Sequence, residues 1–185
     1  SSVDDPIDHR VSTVGRVHPH IECKIVDAET GRMVPRGAPG ELCTRGYSVM
    51  LGYWNNAEAT GTAIDQARWM HTGDLAVMRE DGYVNIVGRL KDMIIRGGEN
   101  IYPREIEEVL LTFPGVREAA VIGEKQSEFG QSPAAFLVTE GELDESALAA
   151  HCREQLAAFK LPRRFVKVDS LPRNAMGKVE KRKLL

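Results

Sequence analysis

The chain has few cysteines, little net charge and no long apolar run, and each shortage excludes something. Cys23, Cys43 and Cys152 are its three cysteines. They are odd in number and lack the spacing of metal ligands or of a disulfide framework. They read as free or buried thiols of a reduced compartment, and the cytoplasm is the expected location. The formal net charge of −3 gives no overall field that would favour nucleic acid or an anionic membrane, so any phosphate must be bound locally. No stretch approaches the roughly 20 apolar residues of a membrane span. No secretory leader is visible, and the opening Ser1-Ser2-Val3-Asp4-Asp5-Pro6 reads as the middle of a larger protein. Internal repeats and low-complexity tracts are missing. Gly97-Gly98 is not followed by Lys-Ser or Lys-Thr, so it is not a Walker loop. His18-Pro19-His20 has no partners at metal spacing and reads as an exposed loop, so no metal site is expected.

What is present is a globular composition, with 42% apolar residues. Residues 1–10 are polar and proline-marked, a predicted loop. Ile21 to Val26 alternates apolar and polar as a half-buried strand does. Asp27 to Gly31 is a turn, and Glu41 to Arg45 is another strand. Asn55 to Ile64 suits a short helix started by Asn55 or Asn56. Leu75–Met78 and Tyr83–Val87 flank an Asp81-Gly82 hairpin signal. The first half is thus mostly short antiparallel strands.

The character changes near Leu90 to Asp92. A short apolar run, Met93 to Ile95, suits a strand. Gly97-Gly98 permits a tight turn and close approach of another molecule to the backbone. Pro103 then opens a helix, because its missing N–H costs nothing at the first helical position. Ile106, Val109, Leu110 and Phe113 give that helix one apolar face. Val116–Val121 and Ala134–Val138 are predicted strands. Leu143–Phe159 is a predicted helix capped by Asp144 and stopped by Pro162, with Leu148, Cys152, Leu156 and Phe159 as its stripe. Phe165–Val168 is a last strand before the loop carrying Lys178. Interleaved strands and helices make this half an α/β layer of its own.

Three segments carry a family resemblance: Trp69-Met70-His71-Thr72-Gly73-Asp74-Leu75, then Gly88-Arg89-Leu90-Lys91-Asp92 running through Gly97-Gly98-Glu99-Asn100, then Leu171-Pro172-Arg173-Asn174-Ala175-Met176-Gly177-Lys178-Val179. In this order and spacing they resemble the adenylate-forming superfamily, whose members include acyl-CoA synthetases, adenylation domains and luciferases. The resemblance covers nearly the whole chain and is nearest to fatty-acyl-CoA synthetases. It implies an α+β fold: residues 1–91 as an antiparallel β-rich fragment of the large N-terminal domain, and residues 92–185 as a small α/β C-terminal lid hinged at Asp92.

The resemblance also assigns roles. Asp74 would hold the ribose of ATP and of the acyl-adenylate; a carboxylate can accept hydrogen bonds from both vicinal hydroxyls, although Thr-Gly-Asp read alone is a turn between loop and strand. Arg89 would reach the same ribose, the plainer reading being a surface pair with Asp92 or Glu80. Asp92 would be the hinge, since a few residues must absorb the φ/ψ change when a rigid domain swings. Gly97 and Gly98 would line a tunnel for the pantetheine arm of CoA. Lys178 would be catalytic, setting its ammonium between the attacking carboxylate and the α-phosphate. Phe129, in a loop, and Phe159 would stack on the adenine of CoA or else pack in the core, and Arg163 would meet a phosphate. His71 could approach the nucleotide, but a structural role fits it better.

No Gly-rich Ser/Thr phosphate loop and no Tyr-Gly-x-Thr-Glu segment occurs. The resemblance places triphosphate, Mg2+ and acyl binding in those parts, so the chain resembles only the C-terminal part of an acyl-CoA synthetase. It implies ATP, CoA and a fatty carboxylate as substrates, the missing N-terminal domain as partner, and an isolated fragment that is inactive. Two alternatives stay open: an adenylation domain that loads a carrier protein, and a non-catalytic nucleotide- or partner-binding module.

Overall fold

The computed structural model describes residues 2–126 and 130–184. The chain divides into two compact units, Ser1–Lys91 and Asp92–Leu185.

The first unit is a four-stranded antiparallel meander of β1 (Ile21–Val26), β2 (Pro39–Gly46), β3 (Met70–Met78) and β4 (Val84–Arg89), in that spatial order. The expected loop over residues 1–10 runs instead into a one-and-a-half-turn helix, α1 (Ile7–Ser12). The second helix, α2 (Ala57–Ala63), starts where the sequence places a cap: Asn56 Oδ1 accepts from the N–H of Ala59 at 2.9 Å. Ile25, Ala76 and Val84 form a small core with Val34, Leu42, Met78 and Ile86. Much apolar surface stays outside it, with Leu51 and Trp54 more than 90% exposed.

The second unit is built on β8 (Gly130–Thr139), which pairs along its whole length with β7 (Val116–Gln126). On its other side β8 takes β9 (Arg164–Lys167) in parallel, from Ala134↔Arg164 to Leu137↔Lys167, and β5 (Ile94–Arg96) at Arg96↔Gly130. The Ala-Ala-Phe-Leu-Val run of β8 is near-continuously apolar because both its faces are covered. On one face Val121, Ala135 and Leu137 meet Ile106 and Leu110 of α3 (Pro103–Leu111) and Leu148 and Cys152 of α4 (Glu145–Gln155). On the other face Ala120, Ile122, Ala134 and Phe136 meet Leu171, with Val179 and Leu184 packed beside them.

Two expectations need correction here, and one is extended. Gly97-Gly98 makes the expected tight turn, but a short strand separates it from the helix. It is the tip of a hairpin between β5 and β6 (Glu99–Ile101), with φ of +58° and +87°, as a two-residue turn of the I′ class requires. The predicted helix to Phe159 ends at Gln155, well before Pro162. Leu156 turns extended so that its side chain can complete the core beside Leu148 and Cys152. Phe159 then lies on a separate 3-10 turn, Ala158–Lys160, not on the helical stripe. The N-terminus of α4 is as expected: Asp144 Oδ1 accepts from Ala147 N–H at 3.0 Å. Among the described residues no helix is long and apolar enough to cross a membrane.

Leu110 is fully buried under the sheet. Leu110→Ala should destabilise the second unit by about 3 kcal/mol, seen as a lower urea midpoint with an unchanged slope. A loss under about 1 kcal/mol would mean that α3 does not hold this core.

Candidate active site

Thr72-Gly73-Asp74 lies inside β3 and not between a loop and a strand. The register explains why the sequence hid this. Glu41 pairs with Leu75 and Cys43 with His71, so Leu42 alone opposes Thr72, Gly73 and Asp74. This bulge breaks the alternation that reveals a strand and re-aims its side chains. Gly73 takes φ +69°, open to glycine. A second irregularity follows at once, with Val87 unpaired on β4 between Leu75↔Gly88 and Ala76↔Ile86.

Asp74 is the last residue of the first irregularity and stands just before the second. It pairs in register with Arg89, and Arg89 Nε lies 2.8 Å from Asp74 Oδ1. Neither expected surface partner, Asp92 or Glu80, takes Arg89. Asp74 Oδ2 has no hydrogen-bond partner among the described residues. The carboxylate is about a quarter exposed and the guanidinium about half, so the pair faces outward and is oriented more than it is buried.

The bulge is closed from beneath. Thr72 Oγ1 donates to Leu42 O at 2.8 Å and accepts from Asp74 N–H at 3.1 Å. Glu41 Oε1 accepts from Gly73 N–H at 3.1 Å, and its Oε2 lies 2.7 Å from His71 Nδ1. His71 thus has the structural role expected of it. Cys43 Sγ is 3.5 Å from the same nitrogen, and burial together with the Glu41 charge pushes the Cys43 thiol up to about 11. Glu41, Cys43 and His71 bring three donor atoms within 4.8 Å of one another, a set able to hold a metal ion. Here those atoms already satisfy each other. Glu41 escaped the sequence reading because it sits 30 residues before His71, and only the β2–β3 register joins them. A groove of about 530 Å3 lies against this floor, lined also by Asn56 and Thr62 of the α2 region; Asp74 and Arg89 do not line it.

Asp92 closes the 3-10 turn Leu90–Asp92 that follows β4 and is the first residue of the second unit. In that unit Lys178 stands on a tight turn organised by one side chain. Asn174 Oδ1 accepts from Met176 N–H and Lys178 N–H, each at 3.0 Å. The Asn174 N–H donates to Lys178 O at 2.9 Å, and Gly177 takes φ +78°. Arg173 clamps the turn, donating to Gly177 O at 2.8 Å and bonding Glu118 at the start of β7. Leu171 and Val179 pin the two sides of the turn to the sheet. Two nearby cations are tied up: Lys181 sits 2.5 Å from Glu107, and Lys183 2.5 Å from Glu180. Lys178 is exposed, and among the described residues no carboxylate pairs with it.

Gly97 and Gly98 lie at the other end of that sheet. A Cβ on Gly98 would meet nothing within 4 Å, so the chain itself needs glycine there for its φ, not for space. Arg96 joins this hairpin to the Phe159 turn, donating to Phe159 O at 2.8 Å. Phe159 is 36% exposed, which sets aside core packing as its role. Arg163 donates to Gln126 Oε1 at 2.9 Å, at the far end of β7. Phe129 lies outside the described residues. Gly97, Gly98, Phe159 and Arg163 therefore gather at one end of the sheet, where Gln126 pairs with Gly130 and Gly130 with Arg96. The Lys178 turn is clamped at Glu118, eight residues away along β7. At about 3.3 Å per residue, that is roughly 26 Å of strand.

Residues 105–178 match the AMP-binding enzyme C-terminal domain, and residues 1–54 match the AMP-binding enzyme family. The chain is 46% identical over 183 residues to the mitochondrial medium-chain acyl-CoA ligase ACSF2 of Bos taurus, covering 98% of this chain and 30% of the relative. ATP-bound MatB from Rhodopseudomonas palustris superposes with a TM-score of 0.88 at 40% identity, covering 94% of this chain and 35% of that one. The apo form of MatB, also 40% identical, gives 0.69 over 97% of this chain and 36% of that one. The o-succinylbenzoate CoA synthetase MenE from Bacillus subtilis, in complex with its acyl-adenylate intermediate, gives 0.87 at 35% identity over 95% of this chain and 36% of that one. The chain spans about a third of the length of the curated relatives it matches.

Cys43 and Cys152 are buried, and burial raises both thiols, whereas Cys23 is half-exposed. Iodoacetamide should label Cys23 first in the folded chain. Cys43 should stay slow up to about pH 9, well below where its thiol ionises. Mass spectrometry of the labelled peptides reads this directly; rapid labelling of Cys43 near neutral pH would contradict the packing around Glu41 and His71.

Proposed function

This chain belongs to the adenylate-forming, AMP-binding superfamily, and we propose that it works as the C-terminal portion of an ATP-dependent acyl-CoA synthetase acting on a fatty carboxylate. The observation that carries this reading is the separation inside the second unit. One end of its sheet offers an unpaired ammonium, and the other offers a glycine hairpin beside Phe159 and Arg163. A rigid sheet cannot bring both ends to one reacting atom together, so each end serves a different step.

In the first step the carboxylate attacks the α-phosphorus of ATP, a P–O bond forms, and pyrophosphate leaves. Asp74, oriented by Arg89, accepts from the ribose hydroxyls. Lys178 offsets the negative charge gathering between carboxylate and phosphate, a role suited to a flexible point charge. The second unit then turns about Asp92. The Gly97-Gly98 hairpin replaces Lys178 at the nucleotide and admits the pantetheine arm. The thiol of CoA attacks the acyl carbonyl, loses its proton, and AMP leaves. Exposed Leu51 and Trp54 support a further domain covering the first unit. Three free thiols support a reducing compartment such as the cytoplasm. Mg2+ would arrive with ATP. Neither site carboxylate is assigned to it: Asp74 faces the ribose, and both oxygens of Glu41 are already met by Gly73 and His71.

In the whole protein, Lys178→Ala should slow carboxylate-dependent pyrophosphate exchange by about 100-fold or more. Thioester formation from supplied acyl-adenylate and CoA should stay near the parent rate. Equal loss in both assays would contradict the division of labour. The chain alone should show no pyrophosphate exchange, and measurable exchange would place the whole catalytic set within it.

A further inference from the structure

We propose that Glu41 is a positioning residue for nucleotide binding: with His71 it holds the β3 bulge in the form that aims Asp74 outward. The inference rests on the reading that Asp74 holds the ribose, and it adds a residue that neither touches the nucleotide nor belongs to the three recognised segments.

Glu41 is buried where a carboxylate is rarely found. The Glu41 side chain is only 9% exposed, and a carboxylate so placed is costly unless its oxygens are met. Both are met, and by one segment. Oε1 takes the N–H of Gly73, and Oε2 takes His71 Nδ1. These partners flank Thr72, whose hydroxyl spans from Leu42 O to Asp74 N–H. The bulge sets three residues of β3 against Leu42 alone, so its backbone groups cannot all find ladder partners on β2. Glu41 supplies the missing acceptor for Gly73, and Thr72 the one for Asp74. Without Glu41, the Gly73 N–H would be left unsatisfied and His71 would lose its strongest partner. The segment could then relax out of its bulged form, and the local turn of the backbone that aims Asp74 would no longer be fixed. His71 Nε2 faces Asp65 Oδ2 at 3.9 Å, so the imidazole is bracketed by carboxylates on both sides. Cys43 Sγ touches His71 Nδ1 and donates weakly to Glu41 O, and among the described residues it makes no bond to the backbone of residues 72–74.

The test is steady-state kinetics of the whole protein with Glu41→Ala, Glu41→Gln, Asp74→Ala and Cys43→Ala, varying ATP, carboxylate and CoA in turn. Glu41→Ala should raise KM for ATP about tenfold while leaving KM for CoA and for the carboxylate near parent values. Glu41→Gln keeps a carbonyl oxygen for Gly73 N–H and should fall between parent and Glu41→Ala; being isosteric, it also keeps the test available if the alanine variant does not fold. Cys43→Ala should leave KM for ATP unchanged. A uniform loss in all three substrates would overturn positioning in favour of general damage. A Cys43→Ala effect as large as that of Glu41→Ala would overturn it in favour of a bound metal. If Asp74→Ala raises KM for ATP and neither Glu41 variant does, the positioning role fails alone. If Asp74→Ala also has no effect, the ribose assignment fails with it.

Discussion

A β-sheet is stiff along its strands, and in the second unit that stiffness holds the Lys178 turn apart from the glycine hairpin. The Lys178 turn is fastened at Glu118 and the glycine hairpin lies level with Gln126, so β7 itself acts as the spacer. No side-chain rearrangement closes about 26 Å of strand. On the proposed reading, the two-step course of the reaction follows from this length. The two steps call for different groups at the nucleotide, and the spacer lets one small unit present each end in its turn. The rest of the unit serves that rigidity: β8 is buried on both faces, and two helices and the C-terminal loop lock the sheet from opposite sides.

The first unit shows the complementary economy. Its core is small and its strands are regular except beside Asp74, where β3 and β4 each carry extra residues. Irregular pairing leaves backbone donors without ladder partners, and here they are met by Thr72 and a buried carboxylate. The hydrogen bonds that make the bulge tolerable are also what hold its outward-facing carboxylate in one orientation. Lys178 is treated the same way: Asn174 bonds the backbone of its turn, Arg173 divides its bonds between Gly177 O and Glu118, and the ammonium is left uncommitted.

Local chemistry was legible in the sequence wherever a single residue decides the outcome. Asn56 and Asp144 cap their helices, Pro103 opens α3, and Asp81-Gly82 turns the hairpin between β3 and β4. The apolar run of β8 was visible because burial on both faces leaves it no alternation to hide in. Features set by pairing across distance were not visible. β6 is three residues long, and two of them are exposed, so it carries no period of its own. The bulge made Thr72-Gly73-Asp74 look like a turn, since in φ/ψ and composition it resembles one. The end of α4 was missed because Ala157, Ala158 and Phe159 are acceptable helix formers, and only the core site waiting for Leu156 stops the helix earlier. Glu41 could not be found at all, because its meaning depends on a register between strands 30 residues apart.

Alternation between the two ends of one unit is the central claim, and amine footprinting of the whole protein measures it most directly. Lys178 labelling by an amine-reactive reagent would be followed by mass spectrometry with ATP and a non-reactive carboxylate analogue bound, then with a non-hydrolysable acyl-adenylate and CoA bound. The account predicts that Lys178 is protected in the first complex and reactive again in the second, with Lys181 unchanged in both. Equal labelling of Lys178 in the two complexes would contradict it.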